Sequence, residues 1–223
     1  MFIGHFATAF AGKRVDARIS LGWTFAACQA PDLLWPIFSL IGMEHFRIVP
    51  GDTAFTPLSF DYYPWSHSLV MDIVWGLALG LIYLARSGDR RGSAFLAALV
   101  VGHWVLDWIT HRPDLSLTLT EEHRVGLGLW SSVAGTIAVE VLLYAAAVWL
   151  YLRTTVARDR VGRIGAWSLA GALGAIYVAN IVSPPPPSTT AVSIAALALW
   201  AFIPLAAWID RHRTPAHRVV PAA

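Results

Sequence analysis

The sequence predicts an all-α protein, a polytopic membrane bundle of about six transmembrane helices plus a short N-terminal half-helix. Hydrophobic residues make up 57% of the 223 residues and charged residues 13%, against about 25% charged in soluble domains. Six segments reach the roughly 20 mainly apolar residues that a membrane-crossing helix needs. Clusters of arginine separate these segments. Lipid, rather than water, is therefore expected to cover most of the surface.

The six predicted spans cover residues 20–42, 66–86, 92–111, 128–152, 164–182 and 190–209. The first span contains Gln29, Pro31, Asp32 and Pro36. Two prolines inside a span predict a kink or a break. Residues 1–211 are expected to form one transmembrane domain, and residues 212–223 a basic, disordered cytoplasmic tail.

The first twelve residues are apolar but would reach only about 18 Å as a helix, too short to cross the bilayer. They are expected either to lie in the interface or to enter the bundle as a half-helix. No basic residue precedes them, so a cleaved signal peptide is not expected. The single cysteine, Cys28, excludes an internal disulfide and a cysteine-based zinc site.

Basic residues predict the orientation of the bundle. Thirteen of the 16 Lys and Arg residues fall on one side of the six predicted spans, and three fall on the other. Cytoplasmic loops are the basic ones, so both termini are expected in the cytoplasm. Because the basic residues are spread over short clusters and the net charge is only +2, a nucleic-acid partner is not expected.

The strongest chemical pattern lies in the third predicted span. His103, Asp107 and His111 are four residues apart, which places them on one stripe of a helix. Imidazole and carboxylate on one stripe suit zinc, and also manganese or iron. Ionisable groups inside a membrane helix usually mark function. The alternatives are a hydrogen-bond network that pins helices and, for His111, a simple helix cap.

Three further side chains are candidate ligands. His67 opens the second predicted span, where the alternative is a Ser66 cap with His67 facing water. Asp32 lies in the middle of the first span and needs a cation or hydrogen-bond donors, which an arginine partner would also supply. His5 lies in the apolar N-terminal segment, where an interfacial position is the simpler interpretation.

Two other acids, Glu140 and Asp72, fall inside predicted spans. Either could act as a partner of a ligand or as a base, and Glu140 and His111 are the candidate catalytic residues. The aromatic residues Tyr62, Tyr63 and Trp65 are interpreted as an interfacial belt.

The order Gly4-His5, Pro31-Asp32, His67-Ser68 and His103-x-x-x-Asp107 resembles the bacterial inner-membrane metal-dependent hydrolases called LexA-binding inner-membrane-associated hydrolases. It is less similar to the ligand order of zinc-dependent phospholipases C. The resemblance covers about residues 1–115. It implies that these five His and Asp side chains hold a divalent metal, best suited to zinc, in a bacterial inner-membrane enzyme.

The sequence departs from the family pattern at two places. The family's second histidine before the His-Ser element is replaced by Tyr62-Tyr63-Pro64-Trp65, and Leu33-Leu34-Trp35 follows Asp32 in place of a second acid.

The expected function is hydrolysis of a phosphoester or lipid head group by a metal-activated water. The alternative is a small proton or metal-ion transporter that uses the buried His and Asp residues.

Overall fold

The computed structural model describes residues 1–120 and 122–216, which fold as an all-α bundle, as predicted. The helices are α1 (Ile3–Val15), α2 (Leu21–Cys28), α3 (Ala30–Leu40), α4 (Pro64–His67), α5 (Leu69–Ser87), α6 (Arg90–Thr110), α7 (Val133–Thr154), α8 (Arg160–Val182), α9 (Thr189–Ala196) and α10 (Leu199–Arg211). A 3-10 turn at Leu129–Ser131 precedes α7.

Five helical segments in the described residues are long and apolar enough to cross a membrane: α5, α6, α7, α8 and the segment Thr189–Arg211 formed by α9 and α10. They correspond to the last five predicted spans. Their outward faces expose large apolar side chains, among them Leu81, Leu142 and Val182. Apolar outer faces of this kind are stable against hydrocarbon, not against water. The chain is therefore a membrane protein.

The first predicted span, residues 20–42, is not one continuous helix, which confirms the kink or break expected from its two prolines. It consists of α2 and α3, separated at Gln29, where φ and ψ are −112° and 3°. Pro31 lies in the first turn of α3, where its missing N–H costs nothing. The break places Asp32 in the first turn of a helix, where backbone dipoles favour a carboxylate.

Helix α1 lies inside the bundle, which confirms the half-helix and excludes the interfacial alternative. It packs mainly against α7 and α2. Phe6 and Phe10 are at most 1% exposed, and they join Phe25 of α2 and Tyr151 of α7 in one core cluster. This packing carries His5 into the interior.

Short pairs of antiparallel strands close the ends of the bundle. Strands β1 (His45–Ile48) and β2 (Leu58–Tyr62) pair between α3 and α4, and β3 (Leu115–Ser116) pairs with β4 (Arg124–Val125) after α6. At the other end, β5 (Thr155–Ala157) pairs with β6 (Arg213–Pro215). The chain is thus ordered past residue 212, where the predicted tail begins, and residues 217–223 of that tail lie outside the described residues.

Small residues let α5 and α6 approach closely. A Cβ at Gly76 would lie 2.8 Å from the carbonyl oxygen of Ala97, whereas a Cβ at Gly174 of α8 would meet no atom within 4 Å. We expect Gly76→Ala to lower the free energy of unfolding by about 1–3 kcal/mol through overpacking. Gly174→Ala, the control, should be neutral or stabilising because alanine favours helices. Thermal unfolding in detergent measures both, and equal effects would contradict this account.

Candidate metal centre

The stripe predicted on α6 faces the inside of the bundle. His103 and Asp107 are at most 2% exposed, and His111 follows directly as the C-terminal cap of the helix. His103 Nε2 lies 3.1 Å from Asp107 Oδ2, and His111 Nε2 lies 3.9 Å from Asp107 Oδ1. The two histidines therefore approach opposite oxygens of one carboxylate.

Asp32 and His67 meet the stripe from two other parts of the chain. His67 Nε2 lies 3.4 Å from Asp32 Oδ1 and 3.8 Å from Asp107 Oδ2. His103 Nε2 lies 4.0 Å from Asp32 Oδ2. Ligands about 2.05 Å from a tetrahedral zinc are about 3.3 Å from one another. The observed separations are close to that value, and Asp32, His67 and His103 form a group that could hold one ion with small movements, with Asp107 beside it.

His5 reaches the same carboxylate from the buried helix α1. Its Nε2 lies 3.0 Å from Asp107 Oδ1, and the backbone nitrogen of Met1 lies 2.6 Å from the same oxygen. The His5 ring stacks on the His103 ring, with centroids 3.6 Å apart and planes 6° apart. All five predicted ligands, His5, Asp32, His67, His103 and Asp107, thus lie in one cluster, and His5, His103 and Asp107 form a second group with metal-binding spacing.

Three of the histidines are oriented by hydrogen bonds at Nδ1. His103 Nδ1 lies 2.7 Å from the carbonyl oxygen of Cys28, and His67 Nδ1 lies 2.7 Å from Ser66 Oγ. His111 Nδ1 lies 3.0 Å from Asp114 Oδ1. A carbonyl or carboxylate oxygen only accepts, so Nδ1 of His103 and His111 carries the proton. The lone pair of each Nε2 then faces the centre, as in metal-ligating histidines.

Two acids behind the histidines were missed by sequence reasoning. Glu44 accepts hydrogen bonds from Ser66 N and Ser66 Oγ, so Ser66 in turn accepts from His67. Burial raises the pKa of Glu44 above its ordinary value, against the hydrogen bonds from Ser66. Burial also acts to raise the pKa of Asp114, but hydrogen bonds from His111, Arg112 and Tyr63 outweigh it and lower that pKa. Asp114 therefore stays ionised beside His111.

Tyr63 does not lie in an interfacial aromatic belt, and His67 does not face water. Tyr63 is 1% exposed and donates to Asp114 Oδ1, so it does not belong to an interfacial belt. Burial, together with the charge of Asp114, raises the pKa of its phenol. His67 is 5% exposed, and Ser68 rather than Ser66 caps α5. His67 therefore faces the cluster and not water.

The other candidate acids take different positions. Glu140 Oε2 accepts the backbone N–H groups of Phe2 and Gly4 and so caps the start of α1, while its Oε1 is buried without a hydrogen-bond partner. Both carboxyl oxygens of Asp72 are buried without a partner. Neither acid belongs to the two described groups with metal-binding spacing.

The cluster has the features of a cation site. His103 Nε2 is buried and makes no hydrogen bond despite its short distance to Asp107, and buried polar atoms are rarely left so. Both oxygens of Asp32 face imidazoles, so the described contacts give no support to an arginine partner for Asp32. A divalent ion would satisfy Nε2 and compensate the buried carboxylates. The donor set, imidazole nitrogen and carboxylate oxygen, fits zinc, manganese or iron.

A cavity of about 630 Å³ opens beside the cluster. Asp32, His67, Asp107, His111 and Glu140 line its polar end. Its remaining walls are mostly apolar and come from Met1 and Phe2 before α1, from α8, α9 and α10, and from the loop before β2. A volume in this range accommodates a small organic ligand.

Comparisons with protein-family models, with curated proteins and with solved structures gave no match. The resemblance to the inner-membrane hydrolases therefore remains a prediction from residues 1–115, and the geometry of the cluster carries the functional argument.

The orientation of His67 can be tested through Ser66. If the cluster holds a metal ion, we expect Ser66→Ala to weaken its binding about 10–100-fold, the usual cost of removing a group that orients a metal-binding histidine. Ser116→Ala is the matched control, since the Ser116 hydroxyl is also buried but has no hydrogen-bond partner. Competition with a chelator measures both affinities, and equal values for the two variants would rule out the orienting role.

Proposed function

We propose that this protein is a membrane-embedded metal-dependent hydrolase acting on a phosphoester or lipid head group. One observation carries the proposal: imidazole nitrogens and carboxylate oxygens from α1, α3, α4 and α6 converge at the polar end of an otherwise apolar cavity. Membrane interiors strongly disfavour such groups unless they serve a function. An amphiphilic substrate could place its head group at the polar end of this cavity and its apolar part against the apolar walls.

The cluster residues would act either as metal ligands or as bases. Asp32, His67, His103 and Asp107 would hold the ion, and Asp107 would offer its second oxygen, with His5 and His111, to another. Such an ion lowers the pKa of a water molecule toward roughly 7 and polarises a phosphoryl oxygen. His111 and Glu140 are the candidate bases, because both line the cavity. The hydrogen bonds at Glu140 Oε2 leave only its Oε1 for that role.

We propose that the protein lies in a bacterial inner membrane with its arginine-rich side in the cytoplasm; the buried Met1 nitrogen beside Asp107 does not support the expected cytoplasmic N-terminus. The arginine clusters before α6, before α8 and after α10 support this orientation. The cluster lies near the end of α6, far from Arg90 at its start. The cavity would therefore open toward the outer side of the bilayer, where lipid head groups are accessible.

Elemental analysis tests the proposal directly. Purified wild-type protein, handled without chelators, should contain at least one equivalent of zinc, manganese or iron. His103→Ala should lose it, whereas His45→Ala, which removes an exposed histidine on β1, should keep it. Hydrolysis of phospholipid in mixed micelles should follow the metal content. Metal-free wild-type protein, or equal metal in both variants, would refute the proposal.

Ion transport is the second candidate function. It is favoured by acids that are buried but unpartnered outside the cluster, namely Asp72 and Glu140 Oε1. Such groups, spread through the interior, are typical of proton or metal-ion pathways. Zinc or proton flux into liposomes that is lost in Asp72→Asn, without any ester hydrolysis, would favour transport over catalysis.

A further inference from the structure

A second cavity lies between α8 and α10, at the opposite end of the bundle from the hairpins β1–β2 and β3–β4. It has a volume of about 500 Å³. Its walls are apolar or small side chains apart from Arg160 and Ser168, and they include Ile164, Ala172 and Trp208. Since α8 and Thr189–Arg211 are membrane-spanning segments, this groove faces hydrocarbon and is expected to hold an apolar chain.

The dimensions of the groove match one leaflet. From Arg160 to Ala172 the helix rises about 18 Å. Half of a bilayer's hydrocarbon core is about 15 Å. An acyl chain that starts beside Arg160 would therefore run along the groove to near the middle of the bilayer. Arg160, the first residue of α8, would lie at the depth of the lipid head groups.

The charges at this end select the head group. Arg160 is exposed and lines this end of the groove, whereas the exposed residues Arg158, Arg163 and Arg211 lie outside its walls. The two nearby acids have other partners. Asp159 lies 2.6 Å from His212 Nδ1 and accepts a hydrogen bond from Gly162 N at the start of α8. Buried Asp210 pairs with Lys13 at 2.8 Å. An exposed arginine at the end of an apolar groove attracts anionic lipid, by about 1 kcal/mol for an arginine near the membrane surface.

We infer that the groove between α8 and α10 is a binding site for an anionic phospholipid, with its phosphate beside Arg160 and one acyl chain against Ile164, Ala172 and Trp208. This site is separate from the metal cluster and does not depend on the proposed hydrolysis.

Native mass spectrometry of the detergent-purified protein tests this site with two probes, dioleoylphosphatidylglycerol and dioleoylphosphatidylcholine. The anionic lipid should bind about fivefold more tightly or better, the factor that corresponds to about 1 kcal/mol. Arg160→Gln should abolish this preference. Arg163→Gln, which removes the same charge from the same helix outside the groove, should largely retain it.

The groove itself is tested by filling it. Ala172→Phe should weaken the binding of both lipids, while Ala179→Phe, at an exposed position of α8 outside the groove, should weaken neither. Equal binding of the two lipids to the wild type, or a preference that survives Arg160→Gln, would overturn the inference. A dimer that dissociates in Ala172→Phe would overturn it as well, since a second copy would then occupy the groove.

Discussion

Replacing Asp107 by asparagine should abolish metal binding. The two oxygens of this carboxylate face different histidines, His103 on one side and His5 on the other. Asparagine keeps one oxygen, carries no charge and turns an N–H₂ group toward one of the imidazoles. Removal of a group that only orients a ligand costs about 10–100-fold in metal affinity, so we expect a loss of metal affinity of about 100-fold or more here, and a parallel loss of the proposed hydrolysis.

Chelator competition and inductively coupled plasma analysis would measure this loss. Asp61→Asn is the matched control, because Asp61 lies on β2 and pairs with Arg47 outside the cluster. Full metal content in Asp107→Asn would contradict the assignment of Asp107 as a ligand. If both variants lost metal, the cause would be a general disturbance of the fold rather than the missing ligand.

Replacing Lys13 by methionine should give the largest loss of stability. Lys13 Nζ donates to Asp210 Oδ2 at 2.8 Å and to the carbonyl oxygens of Ala17 and Ile19. Asp210 also accepts from Tyr151 Oη and Leu21 N. Without Lys13, the carboxylate would be buried and uncompensated. Breaking one side of such a pair costs about 3–5 kcal/mol.

Unfolding in detergent would measure this loss, with Arg14→Met as the control because Arg14 is exposed. The double variant Lys13→Met with Asp210→Leu should recover part of the stability, since no unpaired charge remains. A Lys13→Met variant as stable as Arg14→Met would show that this contact contributes little.

The spacing of His103, Asp107 and His111 was sufficient to place the three side chains together, because a regular helix fixes residues four apart on one face. Hydropathy likewise predicted the five long spans, whose outer faces lie against lipid. Pro31 and Pro36 indicated a break in the first predicted span. The exact position of the break, at Gln29, depends on how α2 and α3 pack against neighbouring helices.

Glu44 and Asp114 could not be predicted in the same way. Both lie in irregular segments at the end of the bundle, where no periodicity relates a residue to its neighbours, and an acid in a loop is usually solvated. Because Asp114 is two residues from Arg112, the sequence suggests a simple ion pair between them on the surface. Its contact with His111 exists only because the chain turns back after α6. The resemblance, rather than spacing, supported His5 as a ligand. Its position depends on contacts of α1 with distant residues, such as the hydrogen bond from Gly4 N to Glu140, 136 residues along the chain.

The buried position of α1 has a consequence for biogenesis. At 13 residues, this helix is too short to insert stably by itself, and the backbone N–H groups at its start are satisfied by Glu140 of α7. The ribosome must therefore synthesise α7 before the first segment can settle in its final place. His5 precedes α6 and α7 in the chain and can reach its partners there only after both helices have been synthesised, so the candidate metal cluster is completed late in membrane insertion.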